Sequence, residues 1–149
     1  MATVRLPPDF KEFLKLLNAH QVEYLLIGGY AVAYYGYPRA TADIDFWIAV
    51  NPANAERIVT VLREFGFSPP ELSPQLFLKD WQIIRLGVPP VRIELATTIS
   101  GVNFAECYAQ RVVDLLDGVK VNLISLQHLK LNKKAAGRHQ DLADLENLP

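Results

Sequence analysis

Ile27-Gly28-Gly29 and, thirteen intervening residues later, Asp43-Ile44-Asp45-Phe46 decide how this chain is read. Tyr24-Leu25-Leu26-Ile27 is an apolar run of strand length, and the glycine pair lets the backbone turn tightly and come close to a phosphate with no side chain between. From Asp43 to Val50 the residues read as a second strand. Side chains alternate across a strand, so Asp43, Asp45 and Trp47 share one face and Ile44, Phe46 and Ile48 the other. Asp is disfavoured in strands, and two side by side repel each other. A divalent cation is the usual way to offset such a pair. The plainer alternative is a pair of exposed strand or turn carboxylates, and for the glycines a strand-to-helix turn with no ligand.

A third carboxylate on a nearby strand is Glu94 in Val91-Arg92-Ile93-Glu94-Leu95, where Arg92 and Glu94 share a face opposite Val91, Ile93 and Leu95. Glu94 could act as a metal ligand, or pair with Arg92 or Arg85 on the sheet surface. Arg39 could clamp a triphosphate bidentately or pair with Asp43 across the loop. Lys133 and Arg138 could neutralise phosphate or simply compensate a helix dipole. Asp141 and Asp144 fit the first-turn charge preference of a last helix as well as a place in a site. Tyr34, Tyr35 and Tyr37 could stack on a base or pack into the core. His20, His128 and His139 show no ligand spacing, and no Ser or Cys has the setting of a nucleophile, so neither a triad nor a zinc site is expected.

Around these motifs the chain is expected to fold as one domain, residues 1–149, because 149 residues with half of them apolar supply one proper core and are too few for two of typical size. A formal net charge of −1 leaves any basic surface local. The single cysteine, Cys107, excludes an internal disulfide. The N-terminus lacks the build of a signal peptide, and no apolar run approaches the roughly 20 residues that span a bilayer. A soluble, cytoplasmic protein without a membrane partner is the expectation.

Helices are expected at Pro8 to about His20, from Gly29 to about Gly36, from Pro52 through Phe65, near Phe104 to Ala109, from Ser125 through Ala136 and at Asp141 to Leu148. Further strands are expected at Leu76 to Leu78, Gln82 to Leu86, Val91 to Ala96, and as a pair from Arg111 to Leu116 and Val119 to Ile124 around Asp117-Gly118. This order suits an α+β fold with one mixed sheet flanked by helices and a C-terminal helical tail from about residue 125.

Hydrophobic-Gly-Gly, a spacer, then Asp-hydrophobic-Asp-hydrophobic resembles the nucleotidyltransferase superfamily with the DNA polymerase beta fold. The likeness extends into the tail. Gly36-Tyr37-Pro38-Arg39-Ala40-Thr41 and the run from Ser125 through Leu145 are similar to prokaryotic nucleotidyltransferases of the AbiEii toxin type and their relatives. The resemblance implies a metal-dependent transfer of a nucleoside monophosphate from a nucleoside triphosphate to an acceptor hydroxyl on a protein, a tRNA or a small molecule. Asp43, Asp45 and Glu94 would be the catalytic carboxylates and hold Mg²⁺ or Mn²⁺. Gly28, Gly29, Arg39, Thr41, Lys133 and Asp141 would bind the nucleotide, with Asp144 close behind Asp141. A toxin or antitoxin partner protein is also implied. The family more often has Asp where Glu94 stands, and often Ser or Thr where Tyr30 follows the glycines. These two departures allow a second reading, an inactive interaction protein that keeps the fold.

Overall fold

A computed structural model describes residues 4–41 and 43–149. Six strands form one mixed sheet: β1 (Tyr24–Ile27), β2 (Asp43–Ile48), β3 (Ile83–Val88), β4 (Val91–Ala96), β5 (Val112–Leu116) and β6 (Val119–Leu123). Their order is β3-β4-β2-β1-β6-β5, with β1 antiparallel to β2 and parallel to β6, and β2 parallel to β4. The helices are α1 (Pro8–Ala19), α2 (Gly28–Tyr34), α3 (Pro52–Phe65), α4 (Phe104–Ala109), α5 (Leu126–Ala136) and α6 (His139–Asn147).

The core forms where the periodicities of helix and strand agree. Phe10, Phe13, Leu14 and Leu17 of α1 recur at helical spacing and are all fully buried. They face the Ile44, Phe46 and Ile48 side of β2, where the Phe13 and Phe46 rings lie 5.8 Å apart and Phe46 meets Tyr24 edge-on at 5.6 Å. Packing on this side anchors the strand whose other side bears Asp43 and Asp45. Helix α3 starts at Asn51, whose side chain accepts from Asn54 N, and stops at Gly66, left-handed at φ 99°.

Strand β2 ends at Ile48 rather than Val50. The buried Asn54 amide donates to Ala49 O at 2.8 Å and to Glu23 O at 3.1 Å, so a side chain takes the place of the next strand neighbour. The strand expected at Leu76 to Leu78 is instead a 3₁₀ turn, Pro74–Phe77. Pro74 presets its first φ, and Leu76 N and Leu78 N donate three residues back, to Ser73 O and Gln75 O. Its Phe77 is buried without any strand partner. Strand β3 runs two residues beyond the expected Leu86, and β5 begins at Val112. The tail is two helices broken at Gly137, φ 64°, which returns α6 against α5. Among the described residues no helix is long and apolar enough to cross a membrane.

Candidate active site

The open side of the sheet has two halves. At one end Trp47 is covered, its ring 5.0 Å from Phe104 and its Nε1 donating to Thr97 O at 3.2 Å. At the other end a cavity of about 760 Å³ opens above Asp43 and Asp45, with no α4 residue among its lining.

Strand register sets the charges in that floor. Asp43 on β2 stands opposite Arg92 on β4, and Asp45 opposite Glu94. Glu94 in turn stands opposite Arg85 on β3. Arg92 Nη2 donates to Asp43 Oδ2 at 2.7 Å and lies 3.5 Å from Glu94 Oε1, while Arg85 Nε donates to Glu94 Oε1 at 2.8 Å. Both surface pairings open to Glu94 in the sequence are therefore present at once. Asp45 is flanked across the sheet by Ile27 and Glu94 and has no arginine opposite it.

That asymmetry governs the protons. Burial, a hydrogen bond shared with Glu94 and the charges of Glu94 and Asp43 push the Asp45 carboxyl up to about 8, against the opposing pull of Lys133. Burial alone would raise Glu94 too, but the hydrogen bonds from Asp45 and Arg85 outweigh it and hold Glu94 below the usual carboxylate range. A proton shared by the pair is thus favoured on Asp45, in the hydrogen bond to Glu94.

The glycine pair answers first to Asp45. Gly28 is left-handed at φ 70°, and a Cβ there would lie 2.2 Å from Asp45 Oδ2. A Cβ on Gly29 would lie 2.8 Å from Thr41 Oγ1 and 3.3 Å from Arg39 Nη1. The turn is bare because a carboxylate, a hydroxyl and a guanidinium crowd against it.

The facing wall comes from the tail. Lys133, 5 % exposed, points its Nζ between Asp141 Oδ1 at 3.1 Å and Asp144 Oδ2 at 3.0 Å. Arg39 donates to both oxygens of Asp144, and Arg138 Nε donates to Asp141 Oδ2 at 2.8 Å. Burial would raise both carboxyls, but the hydrogen bonds from Arg138 and Lys133 to Asp141, and from Arg39, Lys133 and Gln140 to Asp144, hold them low. Arg39 therefore pairs with Asp144 and not with Asp43. Lys133 is no exposed dipole compensator but the buried centre of a charge cluster, which Gly137 makes possible by folding α6 back.

Gly28, Gly29, Arg39, Thr41, Asp43, Asp45 and Glu94 all line the cavity, as do Lys133 and Asp141. Asp144 lies behind them, fully buried. Tyr34, Tyr35 and Tyr37 do not line it. They pack against the core, with Tyr34 and Tyr35 edge-on at 4.9 Å and the Tyr35 hydroxyl donating to Ile124 O. The histidines stay apart: His20 pairs with Glu64, His128 contacts Ser125, and His139 is exposed. Sequence reasoning missed Trp81, 66 % exposed at the cavity mouth with φ 58°, its backbone N–H donating to Thr98 Oγ1. A lone Trp after Lys-Asp carries no periodic signal that could have placed it there.

Mg²⁺ takes oxygen ligands and is commonly held by one or two carboxylates together with substrate phosphates. Asp43 and Asp45 suit that role, and Asp43 Oδ1 is a buried oxygen with no hydrogen-bond partner among the described residues. Among the described residues no three His, Cys, Asp or Glu side chains converge as a ready ligand set. Glu94 shares a hydrogen bond with Asp45 and pairs with Arg85 and Arg92.

A family described as a nucleotidyltransferase of unknown function (DUF6036) matches residues 6–148, and the chain belongs to it. No curated protein matches the chain. Among solved structures, it is similar to a candidate nucleotidyltransferase of Thermotoga maritima, at 17% identity and a TM-score of 0.62 over 97% of this chain and 94% of that one. It is also similar to an antigenic nucleotidyltransferase-like protein of Paracoccidioides brasiliensis, at 19% identity and a TM-score of 0.54 over 92% and 72%. At these identities the likeness is one of fold, and it agrees with the mixed sheet and flanking helices described above.

Proposed function

We propose that this chain is a metal-dependent nucleotidyltransferase that moves a nucleoside monophosphate from a nucleoside triphosphate to an acceptor hydroxyl and releases pyrophosphate. The observation that carries the reading is the Asp43 and Asp45 pair at the floor of a 760 Å³ cavity whose far wall bears Arg39, Lys133 and Arg138. Asp43 and Asp45 would hold Mg²⁺ or Mn²⁺, which when bound supplies charge neutralisation at the reacting phosphate. Glu94 would accept the proton of the attacking hydroxyl as the new bond to the α-phosphorus forms and the bond to the bridging oxygen breaks. Arg39 and Lys133 face the cavity where the triphosphate charge would lie, with Gly28, Gly29, Thr41 and Asp141 beside them, and little beyond positioning and electrostatics is required.

Incubation with each labelled nucleoside triphosphate and Mg²⁺ or Mn²⁺, with and without added tRNA, tests the reading. Metal-dependent label and pyrophosphate release that vanish in Asp45→Asn would support it, and the labelled species names the acceptor. The AbiEii-like features, Lys133 and Asp141 on the tail wall, are what a toxin-type role with a partner protein would rest on. A second reading has its own support: Arg85 pairs with Glu94 and Arg92 with Asp43, so both carboxylates have counter-ions within the protein. On that reading the protein is an interaction module without turnover. It predicts no label with any acceptor and no metal-dependent stabilisation by nucleotide.

A further inference from the structure

Arg92 is placed where a metal-binding site is least served by a fixed cation. Its Nη2 lies 2.7 Å from Asp43 Oδ2 and 3.5 Å from Glu94 Oε1, so one guanidinium spans two of the three floor carboxylates. A dication on Asp43 would meet that positive charge at contact range, where like charges repel strongly even at an intermediate dielectric. The seat is also incomplete: among the described residues Arg92 Nε is buried with no acceptor, and Asp43 Oδ1 is buried with no donor. Room to leave exists. The Arg92 side chain is 32 % exposed and lines the cavity. A guanidinium matches a phosphate in the same fork geometry that it uses on a carboxylate.

We infer that Arg92 is an exchangeable counter-ion: it holds Asp43 against divalent metal in the nucleotide-free protein and passes to the triphosphate when nucleotide enters. This rests on the nucleotidyltransferase reading and adds an order to it. Metal and nucleotide bind with positive coupling, because each removes a charge that opposes the other, and the coupling is reciprocal. Arg85 does not share the role, since it contacts Glu94 and not Asp43.

The test is Mn²⁺ binding by calorimetry and paramagnetic resonance, with and without a non-hydrolysable α,β-methylene triphosphate, on the wild type, Arg92→Gln, Arg92→Lys and Arg85→Gln. The wild type is expected to bind Mn²⁺ weakly alone and more tightly with the analogue. Arg92→Gln should bind Mn²⁺ alone about tenfold more tightly, with most of the nucleotide enhancement lost. Arg92→Lys should stay near the wild type, and Arg85→Gln should shift less than Arg92→Gln. Thermal unfolding checks that each variant is folded, and Arg92→Ala, with the same expected gain in Mn²⁺ affinity, takes the place of the Gln variant if that one is not. Unchanged or weaker nucleotide-free Mn²⁺ binding in folded Arg92→Gln, with nucleotide-dependent uptake intact in the wild type, overturns the Arg92 role alone. Absence of Mn²⁺ uptake by the wild type even with the analogue overturns the transferase reading and this inference together.

Discussion

Arg39 and Asp144 are joined by two hydrogen bonds, Nε to Oδ1 at 2.8 Å and Nη2 to Oδ2 at 3.0 Å, across 105 residues of chain. The pair ties the loop before β2 to the last helix. It also leaves Asp144 serving two cations, since Lys133 Nζ lies 3.0 Å from the same Oδ2.

Removing Asp144 should therefore unbalance the cluster. Asp144→Ala leaves Lys133 short of one of its two partners in a buried setting and frees Arg39. Breaking a buried pair in this way costs about 3–5 kcal/mol. Urea denaturation should show that loss, and a change below about 1 kcal/mol, the range of an exposed ion pair, would mean that the cluster is solvated.

Gly28→Ala should damage both fold and site. A non-glycine residue held left-handed costs about 1–3 kcal/mol, and the new methyl would lie where Asp45 Oδ2 now is. The expected result is lower stability together with loss of metal-dependent nucleotide binding. Retained nucleotide binding would show that Asp45 has room to withdraw.

Stability of the metal-free protein should fall as pH rises from the acid range toward about 8. Asp45 is raised from 3.8 to about 8 in the fold, so its contribution is complete below its unfolded value and is lost as pH rises through about 8. Glu94 is lowered and acts in the opposite sense, its contribution being lost as pH falls below the ordinary carboxylate range. Between these limits the pair shares a proton. Tm should decline as pH rises from about 4 to about 8 and level off above that, and Asp45→Asn should flatten the decline. An equally steep decline in the variant would place its origin elsewhere.

The two tryptophans should separate spectroscopically. Trp47 is 2 % exposed and Trp81 is 66 % exposed at the cavity mouth. Acrylamide should quench a red-shifted component that disappears in Trp81→Phe. Nucleotide with Mn²⁺ should perturb that component and leave the Trp47 emission unchanged. Perturbation of Trp47 alone would point to a ligand on another surface.

Much of this arrangement was legible in the sequence because it depends on periodicity and spacing. The alternation through Asp43-Ile44-Asp45-Phe46 and Arg92-Ile93-Glu94-Leu95 was enough to put the carboxylates on one face, since a strand leaves no other choice. Register was not legible. Nothing local says that Asp43 meets Arg92 while Asp45 meets Glu94, yet that offset decides which carboxylate keeps a proton and which takes an arginine. Leu76-Phe77-Leu78 misled because three apolar residues satisfy a strand or a single buried turn equally, and Pro74 with i to i+3 bonding settled it. The role of Lys133 depended on Gly137 as a reversal point. Helical spacing on an unbroken axis could not have brought both Asp141 and Asp144 onto its ammonium.

That reversal makes α6 a keystone. The segment beyond Gly137 adds no strand to the sheet, yet it supplies both anions on which Lys133 and Arg39 depend. A protease that nicked the protein at Gly137 and released α6 would leave the six strands paired and the carboxylate floor in place. It would strand a buried ammonium and loosen an arginine beside the glycine turn. Damage to α6 would therefore reach the middle of the molecule as a charge imbalance, felt at the cavity before it was felt by the sheet.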